Sequence, residues 1–253
     1  MSKSSIKPVD RALFQANWKA AKRSAGDGSR RGPTPVEDEI YELLTRAIIM
    51  KQIRPGSRIR EAALASSFKV SRARVHRVLQ RLADLDVVEF RLNFGALVSR
   101  PSPQESQAVF RTRRVLEAEA VRAAVLLCDE HALDALRAFV DREIAAFSRD
   151  EPGLVAVSSG FHQMLAGMCG NPVLAKMLNQ LIHRCVLIQA LYERQTQKTI
   201  CLVEEHAEVV EMIRQKRAAE AVAAMEHHLD HIEQSLDYSL NGAIDERLLT
   251  SIA

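Results

Sequence analysis

A chain of 253 residues, 47% of them hydrophobic, is long enough for two domains with separate cores and too apolar to stay disordered. It has no apolar run of the ~18 residues that a membrane span needs, and its first residues lack the apolar core of a signal peptide, so a cytoplasmic protein without membrane contact is expected. The net charge of +3 conceals an asymmetry: residues 1–34 carry 8 basic against 2 acidic side chains, residues 35–100 carry 12 against 8, and residues 101–253 carry 15 against 22. Positive charge therefore collects where a polyanion would have to be neutralised, and the C-terminal part is excluded from that role.

Cys128, Cys169, Cys185 and Cys201 are far apart and form no CxxC pair, as expected of reduced core thiols in a cytoplasmic protein. Residues 1–35 read as a basic flexible arm. They hold Lys19, Lys22 and Arg23 and end in a Gly-, Ser-, Arg- and Pro-rich segment, with Leu13, Phe14 and Trp18 on a short helix of their own. The arm either adds non-specific contacts to a polyanion or is a solvated tail. Ile40, Leu43, Leu44, Ala47 and Ile48 then form the apolar stripe of a first helix.

The densest signal lies between Ile59 and Val88. Ala62 to Ala65 are strong helix formers, Lys69-Val70-Ser71 breaks the run, and Ser71 is placed as the N-cap of a second helix starting at Arg72. Val75, Val78, Leu79, Leu82 and Leu85 recur at steps of three and four, while Arg72, Arg74, His76, Arg77 and Arg81 take the opposite face. Such a helix suits a DNA major groove, where guanidinium groups read guanine edges and grip phosphates; otherwise it is the solvated face of an ordinary core helix. The next residues favour the first reading. Val87 to Arg91 and Ala96 to Arg100 read as two short strands about an Asn93-Phe94-Gly95 turn, a β-hairpin wing after a helix-turn-helix.

With these residues in place, residues 36–100 resemble the winged helix-turn-helix domain of GntR-family regulators. The resemblance rests on Pro55-Gly56 before the second helix, Leu64-Ala65, Val70-Ser71-Arg72, Leu79 to Leu82, and Gly95-Ala96. It implies that Arg60, Ser71, Arg72, Arg74, His76, Arg77, Arg81 and Gly95 contact a pseudo-palindromic double-stranded operator. His76 departs from the family pattern by replacing a recognition arginine, and Arg74 and Arg77 stand where the family has Pro and Glu. The DNA sequence read is then expected to differ from the family consensus.

Arg100-Pro101-Ser102-Pro103 is a stiff linker, covering residues 101–103. From Gln104 to about residue 241 no strand pattern occurs, and six helices are predicted: 104–128, 130–148, 154–168, 172–194, 198–216 and 218–240. Pro152-Gly153 and Gly170-Asn171-Pro172 separate them, and connections this short impose an antiparallel bundle of about 135 residues. Residues 242–253 are a tail. The expected fold class is mainly α, a winged helix-turn-helix followed by an all-α bundle.

His162, His206 and His228 lie on three of these helices, and imidazoles converging in a bundle could hold a divalent cation such as Zn or Ni. Any one of them, taken alone, is otherwise a structural or surface histidine. Phe161-His162 with Gly170-Asn171, Glu205-His206, Met225 to Leu229 and the Arg113 to Glu117 run resemble the ligand-binding FCD domain of FadR-type GntR regulators. The resemblance implies a metal held by three His and an Asp, with His162, His206 and His228 as ligands. Ser158 stands where the Asp should be, and three neutral imidazoles without an anion leave the ion's charge uncompensated. Either the effector's own carboxylate supplies that charge, or the histidines line a polar cavity that binds an acidic effector directly.

The expected effector contacts are Arg113, Ser158 and Asn171. Arg113 sits on an apolar helix face and wants a carboxylate, either from the effector or from Glu117 at i+4. His131, His183, His227 and His231 are read as structural or exposed. A metal-dependent helical hydrolase is the rival reading, with Glu205 or Glu208 as base, but no paired nucleophile, phosphate loop or HExxH helix is present and the basic wing would have no purpose. The expectation is a homodimeric transcription regulator, more as repressor than activator, switched by a small organic acid and not an enzyme.

Overall fold

The computed structural model describes residues 34–49, 52–149, 154–192 and 201–240. The basic arm, apart from its last two residues, and the C-terminal tail lie outside the described residues.

The N-terminal unit is α1 (Pro35–Ile49), β1 (Arg58–Ile59), α2 (Glu61–Ser67), α3 (Arg72–Ala83), β2 (Val88–Arg91) and β3 (Gly95–Val98). Its core follows the apolar stripes anticipated from spacing, with Ile40, Leu44 and Ile48 of α1 against Val75, Val78, Leu79 and Leu82 of α3, all nearly solvent-free, but Leu43, expected in the α1 stripe, is exposed. The sheet differs from the expected hairpin. It has three antiparallel strands in the order β1-β3-β2, with Arg58 opposite Leu97 and Ile59 opposite Ala96. Arg58 and Ile59, for which no strand was expected, therefore form one. The cause is the Pro55-Gly56 turn. Gly56 takes a φ of 84°, open to glycine, and its N–H bonds the Val98 carbonyl at 2.8 Å, which lays the next residues along β3. A two-residue strand has no period to read.

The second unit is α4 (Pro103–Leu127), α5 (Glu130–Ser148), α6 (Leu154–Met168), α7 (Pro172–Tyr192), α8 (Cys201–Arg214), α9 (Ala218–Gln234) and a 3₁₀ turn (Tyr238–Leu240). The expected mainly helical class holds, and the start signals have visible causes. Ser102 and Glu105 form a reciprocal capping box at α4, and Asp129 Oδ1 accepts the Ala132 N–H at α5. Cys128, Cys169 and Cys185 are buried free thiols, as anticipated. Among the described residues no helix is long and apolar enough to cross a membrane.

The two units touch through α7. Leu187 packs into the winged core, Gln180 Nε2 donates to the Asp84 carbonyl at 3.0 Å, and Arg184 pairs with Asp86 at 2.9 Å and with Glu105 at the start of α4. The linker is held too, since the Tyr192 hydroxyl donates to the Pro101 carbonyl at 2.9 Å.

Candidate functional site

On the winged unit, Arg60, Ser71, Arg72, His76, Arg77 and Gly95 are exposed, while Arg74 and Arg81 are half-buried. Ser71 takes the N-cap position of α3, but its side chain makes no capping hydrogen bond, so the hydroxyl is not spent on the helix. The basic residues divide by position along α3. Arg77 pairs with Glu37, and Arg81 reaches Asp38 at 3.1 Å while its guanidinium lies 4.6 Å from the Tyr41 ring centre. Both are thereby tied to α1. Desolvation works to raise the Glu37 carboxyl, but the Thr34 N–H and Arg77 outweigh it and hold it below its ordinary range. His76 bonds Glu61 at 3.1 Å and lies 5.0 Å from the Phe90 ring, between α2 and the wing. At the wing tip, Asn93 and Gly95 both have positive φ, 67° and 77°, and the turn leaves Leu92 and Phe94 in solvent.

The second site lies inside the bundle. His162 on α6, His206 on α8 and His228 on α9 are essentially solvent-free and meet through their Nε2 atoms: His206 to His228 at 3.0 Å, and His228 to His162 at 3.3 Å. Each ring turns its Nδ1 to a buried carboxylate. His162 faces Glu117 at 2.8 Å, His206 faces Glu143 at 2.9 Å and His228 faces Glu205 at 2.9 Å. A carboxylate only accepts, so Nδ1 carries the proton on each ring and each Nε2 is a bare lone pair.

Three lone pairs pointed at one another repel unless something positive joins them. A proton is opposed, because burial pushes His162 down to about 3 even though Glu117 works to raise it. His228 is lowered well below its ordinary value, by burial and by the rings of His206 and His162. Glu117 stays ionised: desolvation raises it, but Arg113 and His162 bring it to about 2. The donor set thus fits a divalent transition ion, with neutral imidazoles inside and a carboxylate behind each. Position 158 is Ser, and the carboxylates near the rings are Glu117, Glu143 and Glu205, with Arg113 beside Glu117.

Arg113 is buried, and its Nε donates to Glu117 at 2.5 Å, the i+4 pair that was one of its two expected partners. Its Nη2 makes no hydrogen bond among the described residues, nor does Oε1 of Glu143. The Cys185 thiol on α7 lies close to the guanidinium, which works to lower its pKa against the rise that burial causes. Ser158 is half-buried on α6, and Asn171 is exposed at the start of α7, where its Oδ1 accepts the N–H groups of Val173 and Leu174. The geometry thus gives Asn171 a capping task, apart from the histidines.

Glu143 escaped the sequence reading altogether. It occupies a core position in the stripe Leu133, Leu136, Val140, Glu143, Ala146, and a carboxylate among apolar positions at helical spacing is a signal that could have found it.

Comparison with known proteins covers both units. Residues 36–98 match the family of bacterial regulatory proteins called gntR, and residues 108–231 match the FCD domain. The chain therefore belongs to the GntR family of transcriptional regulators, in the branch that carries an FCD domain. It is 24% identical over 204 residues to the HTH-type transcriptional repressor RspR of Escherichia coli K12, covering 80% of this chain and 89% of that one. It is 22% identical over 218 residues to a probable D-xylose utilization operon transcriptional repressor of Paenarthrobacter nicotinovorans, covering 86% and 96%. A GntR regulator from Rhodococcus sp. RHA1 superposes with a TM-score of 0.66 at 20% identity, over 79% of this chain and 97% of that one. The protein is a DNA-binding transcriptional regulator and not an enzyme.

Proposed function

We propose that this chain is a cytoplasmic homodimeric repressor whose operator affinity is set by a small carboxylate effector bound beside a divalent metal ion. The observation that carries the proposal is the convergence of three Nε2 lone pairs at 3.0 and 3.3 Å, each ring backed by a carboxylate. His162, His206 and His228 would hold the ion, of the Zn or Ni class, and the ion when bound supplies a positive centre for an anionic ligand. The unpartnered Nη2 of Arg113 supports it as the second anchor for that carboxylate, with Ser158 nearby in sequence to the first metal ligand. Asn171 caps the start of α7 and is not part of this anchor.

On the DNA side, Arg60, Ser71, Arg72 and Arg74 at the front of α2 and α3 meet base edges and phosphates. Arg77 and Gly95 flank them, the latter at the minor groove. His76 is shared between DNA and the wing, and Arg81 acts mainly by anchoring α3 to α1. Dimerisation finds support in an apolar patch where α4 ends and α7 begins, with Leu126, Leu127, Val173 and Met177 exposed.

Signal passes along α7. Arg113 lies beside Cys185, the adjacent Arg184 pairs with Asp86 and Glu105, and Leu187 sits in the winged core, so a shift at the effector site displaces the contact that orients α3. An effector changes operator affinity only by its differential affinity for the two arrangements.

The test is metal analysis of purified protein combined with a band shift on the chain's own upstream DNA. The reading expects stoichiometric metal, salt-sensitive DNA binding, and loss of both metal and effector response in His206→Ala. Full metal content in that variant would overturn it.

A further inference from the structure

Glu205, His227 and His231 each bring one ligand atom within 4.8 Å of the others. His227 and His231 stand four residues apart on α9 and so share one face of the helix, with ring centres 4.1 Å from each other. Glu205, on the neighbouring α8, bonds His231 through Oε1 and His228 through Oε2 at 2.9 Å. His227 is exposed and His231 is 37% exposed, whereas Glu205 is buried. The pair of rings is thus open to solvent over a fixed carboxylate floor. Two imidazoles one helical turn apart with a carboxylate from the next helix form a three-donor set of nitrogen and oxygen, which selects transition ions over the all-oxygen preference of magnesium and calcium.

We propose that Glu205, His227 and His231 form a second divalent transition-metal site at the protein surface, coupled to the buried histidine centre through Glu205. Its own geometry carries the site, and only the coupling rests on the buried centre taking a metal. One carboxylate then serves two ions. An outer ion drawing on Oε1 weakens the acceptor behind His228, and two like charges sit on either side of Glu205, so the outer ion binds more weakly once the inner site is full. Three protein donors leave coordination positions on the outer ion for water.

The experiment is equilibrium dialysis of the untagged, chelator-stripped full chain against zinc, with protein-bound zinc measured by atomic emission. The parent is expected to take up two zinc ions per chain, one tight and one weaker. The double substitution His227→Ala with His231→Ala should retain only the tight ion, and His206→Ala only the weaker one. Both outer histidines reach solvent on a helix where alanine is favourable, so the double variant keeps its fold, and His227→Gln with His231→Gln must give the same loss. If the double variants bind as much zinc as the parent, the second site is overturned. A single zinc lost in the double variants but kept in His206→Ala leaves this site standing and removes the metal from the buried centre.

Discussion

The basic face of α3 and the histidine centre of the bundle both hold together groups that repel one another, and they do so by opposite means. On α3 the arginines reach water, which screens them, and the two furthest along the helix lean on Glu37 and Asp38 of α1. In the bundle the rings are buried away from solvent, and each imidazole is given its own buried carboxylate. The first region can lose a side chain and keep its fold, whereas in the second Arg113 and Glu117 answer each other within the core and removal of one strands the other.

The sharpest way to break this contrast is Glu117→Gln. It leaves the buried Arg113 guanidinium uncompensated and is expected to cost about 3–5 kcal/mol in urea unfolding, together with a 10- to 100-fold loss of metal affinity. A cost below about 1 kcal/mol would show that the buried Arg113 does not depend on Glu117 for its compensation.

Acid should act on the same region. In metal-free protein His162 protonates near pH 3, against ~6.5 when unfolded, so as pH falls the unfolded chain takes the proton first. The stability from this ring is complete above about pH 6.5 and declines toward pH 3, by about 2 kcal/mol between pH 7 and 5. His228 shifts in the same direction, and Glu117, held at about 2, adds its own loss below about pH 4.5. A melting temperature that stays flat from pH 7 to 5 contradicts it.

Arg72→Ala should leave unfolding unchanged but weaken specific operator binding by about 1–3 kcal/mol, read by fluorescence anisotropy on labelled operator. Equal losses on operator and on unrelated DNA would reassign Arg72 from base to phosphate. The smallest effect belongs to Arg81→Ala. Its pairing with Asp38 and its place over Tyr41 predict a stability loss of about 0.2–1 kcal/mol and an operator affinity within about twofold of the parent. A tenfold loss of binding would return Arg81 to the DNA face.

Much of this was legible without coordinates wherever a pattern repeats. The stripes of α1 and α3, and the bundle helices with their Pro and Gly breaks, follow from apolar residues recurring at helical period, because burial of one face is a local demand on the chain. The basic face of α3 and its order before a wing were legible for the same reason. The three histidines were legible only through the motifs around them, since nothing in their spacing along the chain brings them together.

Tertiary structure decided the rest. It made β1 a strand through a turn and a partner nearly forty residues on, drew Arg77 and Arg81 onto α1, and brought Glu143 to His206 across 63 residues. It also joined the bundle to the winged unit through Arg184 and Leu187. Sequence by itself determined which faces are buried and which are charged. Which buried charge answers which is a matter of packing between helices far apart in the chain, and that packing set a carboxylate behind each of the three histidines.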